Sequence, residues 1–237
     1  MSPTRKKASS AQGCVTSVAR AAGWRETQMN YLKLKMDFDK IVSRTVVVPA
    51  DLSLAFLHGV IQDAFGWLDY HQYEFTLPGD RQHRDWTELC EVMYGDDEIK
   101  YLEAAEMPIS ELLAKKGAKI AYTYDFGDCN EVEIESLGSV SKPDRKDFAT
   151  KGPDVVEDSA GMGGIEAIVK TAKKGKGKDY EALEDWLWGA FGKCVEHVLD
   201  YPDAGDIYSR VFKLVKAVAT ANPKAPCKFW LDYIVRK

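Results

Sequence analysis

The 237-residue chain has no C-x-x-C pair, and its five cysteines, Cys14, Cys90, Cys129, Cys194 and Cys227, are odd in number and widely spread. That pattern excludes a zinc ribbon and a disulfide framework and fits a reducing compartment. No apolar run approaches the roughly 18 residues that span a bilayer, so a membrane-embedded protein is not expected. Positive charge is not in excess either: the formal net charge is −5, which provides no global field to gather DNA or RNA. A phosphate-binding G-x-x-x-x-G-K is missing, and no serine-histidine-acid or cysteine-histidine set assembles from the sequence. Cys129 is the one conceivable nucleophile.

What is present is ordinary globular material, with 45% hydrophobic and 29% charged residues. A chain of this length buries roughly 70% of its unfolded surface in one core. Residues 1–29 stand apart. Arg5, Lys6, Lys7, Arg20 and Arg25 occur with no acid before Glu26, the composition of a disordered basic tail or of an organellar import segment. Cytoplasmic residence is expected, with import through residues 1–29 as the alternative.

Strand periodicity begins at Tyr31, where Leu32, Leu34, Met36 and Phe38 alternate with Lys33, Lys35 and Asp37. A second strand is expected over Arg44–Val48. A helix capped by Asp51 or Ser53 follows, carrying Leu54, Leu57, Ile61 and Ala64 and stopping at Gly66. Gln72–Leu77 forms a third strand. Arg81–Glu106, with its acidic Asp96-Asp97-Glu98, reads as a solvated connection around one short strand, and Ser110–Lys116 as a short helix closed by Gly117. Ile120, Tyr122, Tyr124 and Phe126 mark the clearest strand, returned by Glu131–Leu137. Gly161-Met162-Gly163-Gly164 reads as a turn before a helix near Ile165–Ala172, and further helices are expected over Tyr180–Leu199 and Asp206–Ala221. Strands precede the long helices, so the fold class is α+β: a mostly antiparallel sheet packed by helices in a single domain. The expected divisions are a tail at 1–29, the domain at 30–200 and a helical extension and tail at 201–237.

The hairpin register follows from requiring one apolar face. A three-residue loop, Gly127-Asp128-Cys129, sets Tyr124 against Val132 and Tyr122 against Ile134. It also places Asp125 across from Glu131, two like charges that call for a nearby cation, Arg44 or a lysine. Asp128 joins them or simply stabilises the turn. His71 lies among aromatic residues, either as a ligand-orienting group or as a satisfied half-buried histidine. His58, His83 and His197 have no ligand-spaced partner, and no metal site or cofactor is assigned from spacing alone. Lys170–Lys178 lacks the interleaved aromatics of a nucleic-acid site and reads as a solvated insertion.

Three ordered blocks resemble a known family: VPADLSLAFLHGVIQDAFGWLDYHQYEF at Val48–Phe75, YTYDFGD at Tyr122–Asp128 and EDSAG at Glu157–Gly161. They are similar to the plasmid pRiA open-reading-frame-three-like family over about Tyr31–Phe191. The resemblance implies a small α+β domain and an association with mobile genetic elements, since some relatives carry names borrowed from resolvases, but it brings no established activity. Tyr73 and Val132 stand where relatives tend to have histidine, and Ser159 where they have cysteine.

The function expected is a non-catalytic binding or interaction module, with a candidate cleft of Trp67, His71, Glu74, Asp125, Asp128, Glu131, Glu157 and Asp158. No catalytic residue is assigned. Its partner would be a protein or a small-molecule ligand, with neither nucleic acid nor membrane expected. The alternative is a divalent-cation-dependent hydrolase in which Asp125, Asp128, Glu131, Glu157 and Asp158 supply oxygens and His71 acts as acid or base.

Overall fold

The computed structural model describes residues 31–77, 81–84, 101–104 and 107–221. β1 (Tyr31–Phe38) and β2 (Val42–Pro49) form a hairpin in which Leu32, Leu34, Met36 and Phe38 are buried while Lys33, Lys35 and Asp37 turn to the other face. Helix α1 (Leu54–Phe65) starts at Ser53, whose hydroxyl accepts the Phe56 N–H, and ends at Gly66 in the left-handed region at φ 83°. Both ends are therefore set by residues suited to them: an oxygen acceptor for an orphan N–H, and a residue without Cβ where φ is positive.

β3 (Tyr73–Leu77), β4 (Arg81–Arg84) and β5 (Tyr101–Glu103) extend one edge of the sheet. Helix α2 (Ile109–Leu113) leads into β6 (Lys119–Tyr124) and the long β7 (Asn130–Val140), and β8 (Ala149–Lys151) closes the other edge. The order across the eight-stranded sheet is β5-β4-β3-β6-β7-β1-β2-β8, antiparallel except for β4 with β5. The polar connection expected to hold one strand thus holds two. Their short, polar segments carry no alternation to reveal a parallel pairing, and Asp96-Asp97-Glu98 lies outside the described residues.

The last third of the chain is helical. Helix α3 (Gly161–Lys174) contains the four residues expected as a turn, Gly161-Met162-Gly163-Gly164, as its first turn, and Gly175 caps it at φ 71°. The Lys170–Lys178 run therefore spans the end of α3 and the start of α4 (Lys178–Phe191). The single helix expected over Tyr180–Leu199 is broken at Gly192, φ 62°, and resumes as a 3-10 turn at Val195–Leu199. Helix α5 (Ala204–Ala221) places Ile207, Val211 and Leu214 in the same core as the sheet and α1. Ala172, Leu183, Leu187, Val195 and Val198 form a smaller cluster between α3, α4 and the 3-10 turn.

Arg44, one of the cations expected near Asp125 and Glu131, is instead fully buried on β2 with other partners. Its guanidinium donates to the carbonyls of Ala64 (2.7 Å), Lys151 (2.8 Å) and Pro153 (2.6 Å), so it pins the end of α1 to the turn after β8. Asp154 lies 3.4 Å away and is held in turn by a two-pronged contact from Arg210. Burial lowers the Arg44 pKa to about 10.

Candidate functional site

The expected hairpin register is corrected by two residues. Tyr124 faces Asn130, Tyr122 faces Val132 and Ile120 faces Ile134, leaving Asp125–Cys129 as a five-residue loop. The odd loop length and the shared apolar face hold, but Glu131 faces Thr123 and not Asp125. The reason is local. Asp125 leaves the strand at φ 58°, and its Oδ1 accepts the Gly127 N–H at 2.9 Å. An aspartate making this turn with its own backbone ends β6 early.

Glu131 consequently lines a different cleft, of about 710 Å³ on the open face of the sheet, with Asp37, Lys119 and Glu133. Glu74 lies on β3 opposite Arg84 and Thr123, its side chain on the face away from Tyr73 and Phe75. Neither acid belongs to the group around His71. Tyr73 and Val132, where the resemblance implies histidine in relatives, are core residues.

Four of the expected residues do meet. His71 Nε2 lies 3.0 Å from Asp158 Oδ1, 3.7 Å from Asp125 Oδ2 and 3.8 Å from Glu157 Oε1. The donor atoms of His71, Asp125 and Asp158 fall within 4.8 Å of one another. Ligand atoms about 2.1 Å from one ion lie at most about 4.2 Å apart, so the three would have to draw closer to share a cation. Asp125 is 8% exposed and Glu157 4%, whereas the Asp158 side chain is half exposed. The group is therefore a buried pair of carboxylates with an open side.

Tyr124, expected only as core, is the residue that holds the site together. Its hydroxyl donates to Glu157 Oε1 at 2.6 Å and accepts the N–H of Tyr70 at 2.9 Å and of His71 at 3.3 Å. Glu157 Oε2 accepts the Leu68 N–H at 2.8 Å. Burial pushes the Glu157 carboxyl above its ordinary range, against the opposing pull of these donors. Burial, and then the bond to Glu157, push the Tyr124 phenol up as well, which keeps it a donor.

Asp128 completes the assembly from the hairpin side. Its Oδ2 accepts the Ala160 N–H at 2.8 Å, tying the Asp125–Cys129 loop to the segment that carries Asp158. Gly161 follows at φ 67°, where a Cβ would lie 2.8 Å from the Asp128 carbonyl oxygen. Asp69, Asp125, Cys129, Asp158 and Ala160 all adopt positive φ, five of the seven non-glycine residues that do so among the described residues. Left-handed backbone costs about 1–2 kcal/mol for most residues and less for aspartate, so conformational strain concentrates in the three site loops.

A second network, missed by the sequence reading, supports the same loop from beneath. His58 Nδ1 lies 2.7 Å from the Tyr122 hydroxyl and Nε2 lies 2.7 Å from Asp69 Oδ1, while Gln62 bonds both Tyr122 and the Asp69 N–H. The ring stacks on Tyr73 with centroids 3.6 Å apart. His58 and Asp69 are eleven residues apart, with a helix end between them, so no periodic spacing could have announced the pair.

Trp67 is buried against Phe38, Phe65 and Tyr124. Its Nε1 is one of four buried side-chain polar atoms with no partner among the described residues. Two others, Asn130 Oδ1 and Ser159 Oγ, also belong to segments that build the site. Cys129, the one conceivable nucleophile in the sequence, is exposed and its thiol donates to the Phe126 carbonyl at 3.4 Å. No helix among the described residues is long and apolar enough to cross a membrane.

Known proteins share this architecture without explaining the site. The chain is 37% identical over 107 residues to the uncharacterized protein y4hQ of Sinorhizobium fredii, an alignment covering 44% of this chain and 50% of that protein. The chain thus spans about half the length of this curated relative. The crystal structure of MM3350, a protein of unknown function from Methanosarcina mazei, is similar with a TM-score of 0.53 and 22% identity, over 69% of this chain and 92% of that one. That likeness concerns the fold. Residues 29–196 match the plasmid pRiA4b ORF-3-like protein family, and the chain belongs to it.

Proposed function

We propose that the chain is a binding module built around a divalent-cation site on His71, Asp125 and Asp158, with the remaining coordination positions open to a small ligand. The observation that carries this reading is the approach of one imidazole nitrogen and two carboxylates, from three separate loops, to within 4.8 Å. With Glu157 alongside, three acids surround a single histidine. Such a group is short of positive charge, and a cation supplies it. Imidazole with carboxylates suits Mn²⁺, Fe²⁺ or Zn²⁺ better than Mg²⁺ or Ca²⁺.

Thermal unfolding of chelator-treated protein with each ion tests the reading. At 100 times the dissociation constant a bound ion adds about 2.7 kcal/mol, which for a domain of this size raises Tm by about 5–11 °C. Zn²⁺ or Mn²⁺ should do so, and His71→Ala or Asp158→Asn should abolish the rise. If none of the four metals, Zn²⁺, Mn²⁺, Mg²⁺ and Ca²⁺, moves Tm, the proposal fails. A cation-dependent hydrolase would use the same group, and the observation in its favour is the Glu157 carboxylate 3.8 Å from His71 Nε2. Hydrolysis of ester and phosphoester probes by the metal-loaded protein, lost on Glu157→Gln with the metal still bound, would distinguish that reading from simple binding.

A further inference from the structure

The corner formed by α4 and the following 3-10 turn contains a second arrangement, unconnected with the cation site. In a 3-10 turn, side chains three residues apart eclipse one another. Over Val195–Leu199 one such row, Val195 and Val198, packs into the small apolar cluster with Leu183 and Leu187. The neighbouring row brings Cys194 and His197 together, Sγ lying 2.8 Å from Nδ1.

Glu196 sits beside them and accepts the Tyr180 hydroxyl at 3.1 Å. Its carboxyl is held below the usual range by its own backbone N–H first, then by the Cys194 thiol and Tyr180, with His197 adding to the effect. His197 also lines a cleft of about 330 Å³ together with Lys193 and Arg210 and the acids Asp154, Asp200 and Asp206. A thiol and an imidazole within hydrogen-bond distance therefore occupy one partly exposed turn, and the imidazole borders a cleft.

We infer that Cys194 is a nucleophilic thiol activated by His197 and a modification site for small disulfides. In the exchange, the thiol proton passes from Sγ to Nδ1 and the sulfur attacks one sulfur of the reagent. A new sulfur–sulfur bond forms as the reagent's own bond breaks, and the departing thiolate takes the proton from His197. Cys194 is oxidised to a mixed disulfide while half of the reagent is reduced to a thiol, so no further oxidant enters. Activation by an adjoining base is what separates a reactive cysteine from an inert one. Cys129 is the internal comparison, because it is the more exposed of the two described cysteines and its thiol donates to a carbonyl.

The experiment treats the whole chain with limiting glutathione disulfide, and separately with iodoacetamide, then quantifies modification of each cysteine by peptide mass spectrometry. Cys194 should react about tenfold or more faster than Cys129 despite its lower exposure, and His197→Gln should slow Cys194 by a similar factor without changing Cys129. Local unfolding in the variant would expose Cys194 and raise its rate, so a fall in rate reports the loss of activation. Reaction of wild-type Cys194 no faster than Cys129 would overturn the inference without reference to any variant. So would a His197→Gln rate equal to wild type.

Discussion

Replacing Tyr124 with phenylalanine removes one oxygen and tests whether fold and site share a support. That oxygen donates to a buried carboxylate at 2.6 Å and accepts two backbone N–H groups at 2.9 and 3.3 Å. A bond to a charged acceptor contributes about 1.5–3 kcal/mol and a neutral one about 0.5–1.5 kcal/mol, the longer of the two N–H contacts at the lower end. Both N–H groups belong to a surface loop that can turn toward water, which offsets part of the loss. The expected destabilisation is therefore about 2–4 kcal/mol, measured by urea unfolding monitored through tryptophan fluorescence. Tyr122→Phe is the control, since its hydroxyl serves His58 and Gln62 instead. Both variants should lose stability, but only Tyr124→Phe should weaken cation binding about tenfold or more, the scale seen when a group that orients metal ligands is lost. A Tyr124→Phe protein within about 0.5 kcal/mol of wild type, or one that binds the ion unchanged, would refute the view that this hydroxyl holds the loops in place.

Arg44→Met should cost about 3–5 kcal/mol in the same assay, because several buried carbonyls and Asp154 lose their donor together; a loss below 1 kcal/mol would mean that water replaces the guanidinium freely. Gly161→Ala should destabilise by about 2 kcal/mol through its positive φ and its approach to the Asp128 carbonyl, read as a lowered urea midpoint. Asp203 accepts the N–H groups of Gly205 and Asp206 at the start of α5, and the Asp206 N–H above all holds its carboxyl below the usual range. A depressed folded pKa means that its contribution is present above the ordinary aspartate value of about 3.9 and is lost as pH falls through the depressed one. The stability difference between wild type and Asp203→Ala should accordingly be constant near neutrality and vanish in acid; a gap that persists unchanged into acid would contradict the capping account.

Alternation made the sheet legible wherever one face is apolar and the other charged, as in β1, β6 and β7. It could fix the parity of the β6–β7 hairpin but not its offset. Sliding one strand by two residues keeps every side chain on its face, so Tyr122 meets an apolar partner in either register. The choice fell to Asp125, whose side-chain bond to the Gly127 N–H ends the strand, an event with no periodic signature. β4 and β5 lacked alternation and were missed as a parallel pair. The Tyr180–Leu199 helix was drawn too long because its apolar spacing continues through Gly192, where the backbone turns left-handed.

At the site, chemistry picked out His71, Asp125, Glu157 and Asp158, and long-range bonds through Tyr124 and Asp128 bring them together. Glu131 was included only through the register that proved two residues off. A buried tyrosine in a strand reads as core, which Tyr124 also is, so its bond to Glu157 has no signal in the sequence. His58 and Asp69 were invisible for a simpler reason: a helix end and a turn separate them in sequence, and only tertiary packing closes the gap.

The most direct measurement is an anomalous difference map from crystals of the protein grown with Mn²⁺ or Zn²⁺. A peak about 2.0–2.3 Å from His71 Nε2 and from one carboxylate oxygen each of Asp125 and Asp158 is the expected result. Crystals soaked to saturation that show no density between these three side chains, or show the ion bound elsewhere, would contradict the assignment of this cluster as the cation site.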